Sequence, residues 1–256
     1  MLQNSRKILK KKQPAKKPWK GAPSKPSATS AAKTKPKART GKSKRFIFNR
    51  EHSALVLEKL KEHYPDAHCA LKHKNSFELL VATILSAQCT DERVNKVTPA
   101  LFKRFPDAAS LAKAPAREVE ELIRTVGFFH NKAKNLISCA QTLIKEFKGQ
   151  VPRTLEEMTT LAGVGRKTAN VVLGNSFGLN IGIAVDTHVG RLSYRLGWSQ
   201  SDNAIQVEQD LMSLFPKEEW IMLSHHVIFH GRQICFARSP ACERCFLFDQ
   251  CPKNGV

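Results

Sequence analysis

Residues 161–173, reading LAGVGRKTANVVL, constrain the fold more than any other stretch of this chain. Two glycines flank a valine, with one short helix ending near Leu161 and a second, amphipathic helix starting near Arg166. Glycine lets the backbone turn tightly and come close to another surface. The N–H groups that open a helix have no partner within it, so Gly163, Val164, Gly165 and Arg166 outline a seat for an anion such as a DNA phosphate. This is the pattern of a helix-hairpin-helix. An ordinary αα-hairpin with a glycine turn shares its local features.

Lys167 falls in the first turn of the second helix. The helix dipole disfavours a cation there, which lowers the lysine pKa and makes its amine a better nucleophile, able to form a Schiff base at a sugar carbon. A lysine that only binds phosphate would occupy the same position. Further along comes Val185-Asp186-Thr187-His188. Asp186 suits the N-cap of a helix running toward Leu196. As a carboxylate at the mouth of the same cleft it could also stabilise developing positive charge on a deoxyribose or relay a proton.

The rest of the chain reads as helix. Residues 76–87 set Phe77, Leu80, Val81, Ile84 and Leu85 on one face behind an Asn75–Glu78 capping box. Residues 131–147 repeat the period with Leu136, Ala140, Leu143, Ile144 and Phe147, and Gly149 stops it. Thr154 with Glu157 and Asn203 with Gln206 mark two more helix starts, the second ahead of Val207, Leu211 and Leu214. Ala114-Pro115 places a proline at a first helical turn. Alternating β-branched runs are nearly absent, so the expectation is an all-α protein of roughly ten short helices without an internal repeat.

Charge divides the chain unevenly. Of 42 Lys and Arg, 16 fall in residues 1–45, which hold no acidic residue; the remaining 26 face all 22 acidic ones. Residues 1–45 are rich in Lys, Pro, Ser and Ala and too poor in apolar residues to offset the entropy of ordering, so they read as a disordered basic arm on a mildly basic body. Such an arm suggests a polyanionic partner, nucleic acid before anionic membrane. It would add sequence-independent DNA affinity by counterion release, and its removal would flatten the salt dependence of binding. No apolar run reaches the roughly 18 residues that span a bilayer. The N-terminus lacks the apolar segment of a secretory signal and is poor in the arginines of a transit peptide.

Of seven cysteines, four crowd into one segment as Cys235-x6-Cys242-x2-Cys245-x5-Cys251. In a chain without an export signal, such crowding argues for a metal site over a disulfide framework. Four thiolates serve either zinc or an iron–sulfur cluster. Zinc ribbons usually pair two C-x2-C units across a long spacer, whereas this loop has one such unit, which favours the larger cage of a cluster.

These three motifs, in this order and together with the 85–91 segment LSAQCTD, resemble the endonuclease III family, and the likeness covers nearly all of residues 50–252. The resemblance implies two helical lobes: a six-helix barrel with the helix-hairpin-helix over 69–180, and an iron–sulfur lobe made of 46–68 and 181–256. DNA would lie between them. It implies Lys167 as nucleophile, Asp186 as catalytic carboxylate, Gln88 filling the space left by an extruded nucleotide, and Phe128 as a wedge. It also implies a [4Fe-4S] cluster on Cys235, Cys242, Cys245 and Cys251, with Arg238 and Arg244 facing DNA. The implied activity is base-excision repair: removal of oxidised pyrimidines from double-stranded DNA, then cleavage of the abasic site by β-elimination. A monomer acting in the cytoplasm near the nucleoid, with nucleus or mitochondrion as the alternatives and with no membrane partner, completes the expectation. Two features depart from the family pattern: Phe128 stands where an aliphatic wedge is common, and Ala162 where proline is common. A monofunctional glycosylase of the same superfamily would use water in place of Lys167. A non-enzymatic helix-hairpin-helix module would leave the match at Lys167 and Asp186 unexplained.

Overall fold

The computed structural model describes residues 46–256. The expected basic arm over 1–45 lies outside them. Regular structure among the described residues is entirely helical, as expected for the all-α class. In order the helices are α1 (Arg50–His63), α2 (Ser76–Ser86), α3 (Asp91–Arg104), α4 (Ala108–Ala112), α5 (Ala116–Leu122), α6 (Phe129–Phe147), α7 (Leu155–Thr160), α8 (Arg166–Phe177), α9 (Thr187–Arg195), α10 (Ala204–Leu214) and α11 (Trp220–Gln233). Short 3₁₀ turns cover Lys217–Glu219 and Cys242–Arg244.

The helix starts are set locally. Asn75 accepts from the Glu78 N–H at 2.9 Å, Thr154 from the Glu157 N–H at 3.3 Å, and Asn203 from both Ile205 and Gln206 N–H. Such caps are each worth about 1 kcal/mol. The reciprocal halves differ from a simple box. The Glu78 carboxylate reaches past Asn75 to the Lys74 N–H, and the Gln206 amide turns forward to Asp210. Pro115 sits one residue earlier than expected, as the N-cap of α5. Helix α6 starts at Phe129 and is capped after Phe147 by Lys148, which is left-handed like Gly149 behind it.

Two hydrophobic clusters fill the interior. One runs from Leu71 to Leu173 and draws on α2 to α8; the other joins α1 with α9, α10, α11 and the cysteine loop. Helix α2 lies at the heart of the first. Every residue from Glu78 to Leu85 is buried, so α2 is enclosed on all sides where the sequence suggested a single apolar face. Each fully buried leucine there contributes roughly 1.5–3 kcal/mol. The α6 stripe holds at Leu136, Ala140 and Leu143, but Ile144 is 42% exposed because it lies beyond the edge of that cluster. No helix of the described residues is long and apolar enough to cross a membrane.

Candidate functional site

The hairpin is built on α7 and α8. Gly163 has φ +78°, and a Cβ there would lie 3.1 Å from Asn135 of α6. Glycine is therefore required twice over, for the left-handed backbone and for the close approach. Val164 is buried, so it anchors the turn and offers only backbone outward. Gly165 caps α8 without any side-chain hydrogen bond, and open space surrounds it. The N–H groups at the start of this helix thus stay available to an anion.

Arg166 turns away from that seat. Its guanidinium grips the buried Glu208 carboxylate of α10, with Nε at 2.6 Å and Nη2 at 3.3 Å. Glu208 also accepts from the Asn170 amide at 2.8 Å, and that amide donates to the Ile183 carbonyl at 3.3 Å. The α8 residues on either side of Lys167 are thereby tied to the strand of chain that leads to Asp186. Gly182 makes room for this knot: a Cβ there would come within 2.2 Å of Glu208.

Lys167 is exposed, and it lines one cleft with Asp186, Ser86, Ala87, Asp91 and Arg232. Asp186 caps α9. Its Oδ1 accepts from the His188 and Val189 N–H groups, each at 2.8 Å, and its Oδ2 pairs with His188 Nδ1 at 2.9 Å. Burial pushes this carboxyl up, but the His188 hydrogen bond, the Val189 N–H and the charges of His188 and Lys167 outweigh it, so its pKa ends below the ordinary range. The carboxylate is therefore ionised, held in one orientation and electrostatically coupled to the lysine. An Arg232–Asp91 ion pair at 2.7 Å joins α11 to the first turn of α3 at the same cleft.

Gln88 and Phe128 lie on two neighbouring loops. Both have left-handed backbones, with φ 52° and 58°, a costly conformation for residues other than glycine. Phe128 is 65% exposed, and Gln88 is exposed as well. A Cβ on Gly127 would lie 3.8 Å from the Gln88 carbonyl oxygen, so the loops touch.

The four clustered cysteines line a single cavity with Leu192, Arg195, His230 and Leu247. Among the described residues no three His, Cys, Asp or Glu side chains close on one point as the ligands of a single metal ion do. Two side-chain nitrogens meet the sulfurs. Arg195 Nη1 donates to Cys235 at 3.2 Å, and His230 Nε2 lies 3.5 Å from Cys245, with Tyr64 Oη on its other nitrogen at 3.0 Å. Donors of this kind support thiolate ligands. Burial pushes the Cys245 thiol up to about 11 and raises Cys251 as well, so thiolates here call for the compensating charge of a bound metal. Arg191 and Arg195 of α9 hold the loop further, donating to the carbonyls of Gly231, Cys235, Phe236 and Ala237. Arg238 and Arg244 are exposed on it.

Sequence reasoning missed Glu208, Asn170 and the α9 arginines, whose roles depend on partners about 40 residues away. No local signal distinguishes them.

Comparison with known proteins agrees with this architecture. Residues 81–217 match the family of HhH-GPD superfamily base excision DNA repair proteins, and residues 235–251 match the iron-sulfur binding domain of endonuclease III. Endonuclease III of Synechocystis sp. is 51% identical over 209 residues, covering 82% of this chain and 95% of that protein. A solved non-covalent endonuclease III–DNA complex superimposes with a TM-score of 0.78 at 44% identity, covering 81% of this chain and 97% of that one. A trapped endonuclease III–DNA covalent intermediate matches at the same TM-score of 0.78 and 44% identity, over 81% of this chain and 98% of that one. The cofactor of the cysteine loop is accordingly a [4Fe-4S] cluster. Sequence, fold and both matched segments agree: the chain belongs to the endonuclease III family of base excision DNA repair proteins.

Proposed function

We propose that this base-excision repair enzyme, a DNA glycosylase and abasic-site lyase, performs both steps with Lys167 and Asp186 in the cleft that α8 lines together with the ends of α2 and α3 and with α11. The observation that carries this reading is the pairing of an exposed lysine at an uncapped helix start with a fixed, ionised carboxylate lining the same cleft. The trapped covalent DNA intermediate of a relative 44% identical to this chain supports it. The substrate is double-stranded DNA carrying a damaged pyrimidine or an abasic site.

A backbone phosphate docks on the α8 N–H groups, bringing the sugar to Lys167. Extruding the damaged base costs a few kcal/mol, least for weakly paired bases. Phe128 enters the stack as a wedge, and Gln88 fills the space the nucleotide leaves. The Lys167 amine bonds to C1′ as the C1′–N glycosidic bond breaks, and the base leaves with that electron pair and takes up a proton. The nitrogen then gives up one proton, O4′ takes one as the C1′–O4′ bond opens, and the protonated Schiff base results. Asp186 stabilises the positive charge that develops on the sugar. Loss of a C2′ proton expels the 3′ phosphate, and water releases Lys167. Cys235, Cys242, Cys245 and Cys251 would hold the cluster, which supplies a rigid iron–sulfide core to the loop. Arg238 and Arg244 on that loop face phosphate.

Residues 69–180 form the barrel lobe in this reading, and 46–68 with 181–256 the cluster lobe. The enzyme acts as a monomer in the cytoplasm, at the nucleoid. The test is borohydride trapping on a duplex with one abasic site. Wild-type protein is expected to give a covalent adduct that Lys167→Gln loses while still binding the duplex. Wild-type binding without an adduct would move the enzyme to the water-using glycosylases.

A further inference from the structure

Lys132 is an anomaly in the first cluster. It sits one turn into α6 with 6% exposure, and lysines are rarely buried without an acidic partner. Its hydrogen-bond partners among the described residues are two backbone carbonyls: Nζ donates to Leu85 O at 2.9 Å and to Ala87 O at 2.6 Å. Those carbonyls belong to the end of α2, where four C=O groups lack a helical partner and a cation is favoured. Burial pushes the Lys132 ammonium down, with the nearby Cys89 opposing it, so the site is held at a cost.

What the lysine joins explains that cost. Ala87 precedes Gln88, left-handed at φ 52°; Lys132 itself lies four residues after Phe128, left-handed at φ 58°, and its own N–H donates to the Phe128 carbonyl at 3.1 Å. One side chain thus pins the loop bearing Gln88 to the helix start bearing Phe128. Two strained residues persist only where the surroundings over-determine them, and Lys132 contacts the framework of both, Ala87 through its side chain and Phe128 through its backbone N–H.

We propose that Lys132 is a positioning residue that locks Gln88 and Phe128 into one two-pronged tool for opening the duplex. The inference rests on the reading that these two residues enter DNA. It predicts a split between the two chemical steps. Removing a base from an intact pair requires the tool, whereas cleavage at a preformed abasic site, where no base must leave the stack, depends on it far less.

The experiment compares Lys132→Met with wild type in single-turnover assays on one duplex carrying a damaged pyrimidine and on one carrying an abasic site. Base removal is expected to slow about tenfold or more, in keeping with an extrusion cost of a few kcal/mol. Abasic-site cleavage should change less than about threefold, on the same energy scale. 2-Aminopurine next to the lesion should report reduced opening. Lys132→Arg, which keeps charge and donors, should recover part of base removal and serves as the test protein if the Met variant does not fold; it should then show the same split at smaller amplitude. Equal slowing of both steps in the folded variants overturns the proposal. Gln88→Ala and Phe128→Ala separate the two layers. If neither slows base removal, the reading of these residues is wrong. If they slow it and the Lys132 variants do not, the Lys132 inference alone fails.

Discussion

Two helices open onto the same cleft and open differently. Helix α8 begins at Gly165 with no side-chain cap and with open space where a Cβ would stand. Helix α9 begins at Asp186, whose two oxygens already hold three hydrogen bonds. The first start is left unsatisfied, so that a ligand can complete it. The second is satisfied from within, so that its carboxylate cannot drift. Binding needs spare N–H groups, and stabilising charge on a reacting sugar needs a group already in place before the charge appears. A helix terminus can serve either end, and the capping residue decides which.

The largest effect is expected from Asp186→Asn. The amide keeps an oxygen for the α9 N–H groups but loses the charge, so turnover should fall by roughly 10²–10⁴, while duplex affinity stays near wild type and stability drops by about 0.3–1 kcal/mol through the lost negative charge at the helix start. Parallel losses of affinity and turnover would erase the distinction between the two helix starts. Gly163→Ala strikes the open start from behind. With φ at +78° and Asn135 3.1 Å from the new methyl, it should cost about 1–3 kcal/mol in thermal or urea unfolding and weaken binding to undamaged duplex. An unchanged midpoint would mean that the turn has room to spare.

The smallest effect lies in acid. The Asp186 pKa is lowered in the folded protein, so the stability this group lends is complete above its unfolded value of about 3.9 and is lost as pH falls through the lower folded value. The stability gap between wild type and Asp186→Asn should therefore stay constant near neutrality and narrow only below about pH 4. A gap that persists at the lowest pH would show that the carboxylate contributes through shape and not charge.

Legibility in the sequence followed the range of the interaction. Asn75, Thr154 and Asn203 were readable as helix starts because each cap closes within three residues. Asp186 was readable as a cap for the same reason. The enclosure of α2 was not, since a central helix and an amphipathic one of similar length differ only in what packs on the far side. Arg166 looked like part of the anion seat by position, yet it reaches a glutamate 42 residues on. Lys132 left no trace either: a lysine in a first turn reads as solvent-exposed until the end of α2 is laid against it.

Helix α9 carries one more consequence. It holds the Asp186 carboxylate at its head and, through Arg191 and Arg195 toward its tail, the backbone of the cysteine loop. A helix of nine residues is stiff along its axis, so it behaves as a tie rod between two distant fittings. Slack at the loop would be delivered to the other end as misalignment of the carboxylate, with every reacting group still chemically intact. Damage to the metal site would then be felt as lost aim before it was felt as lost structure.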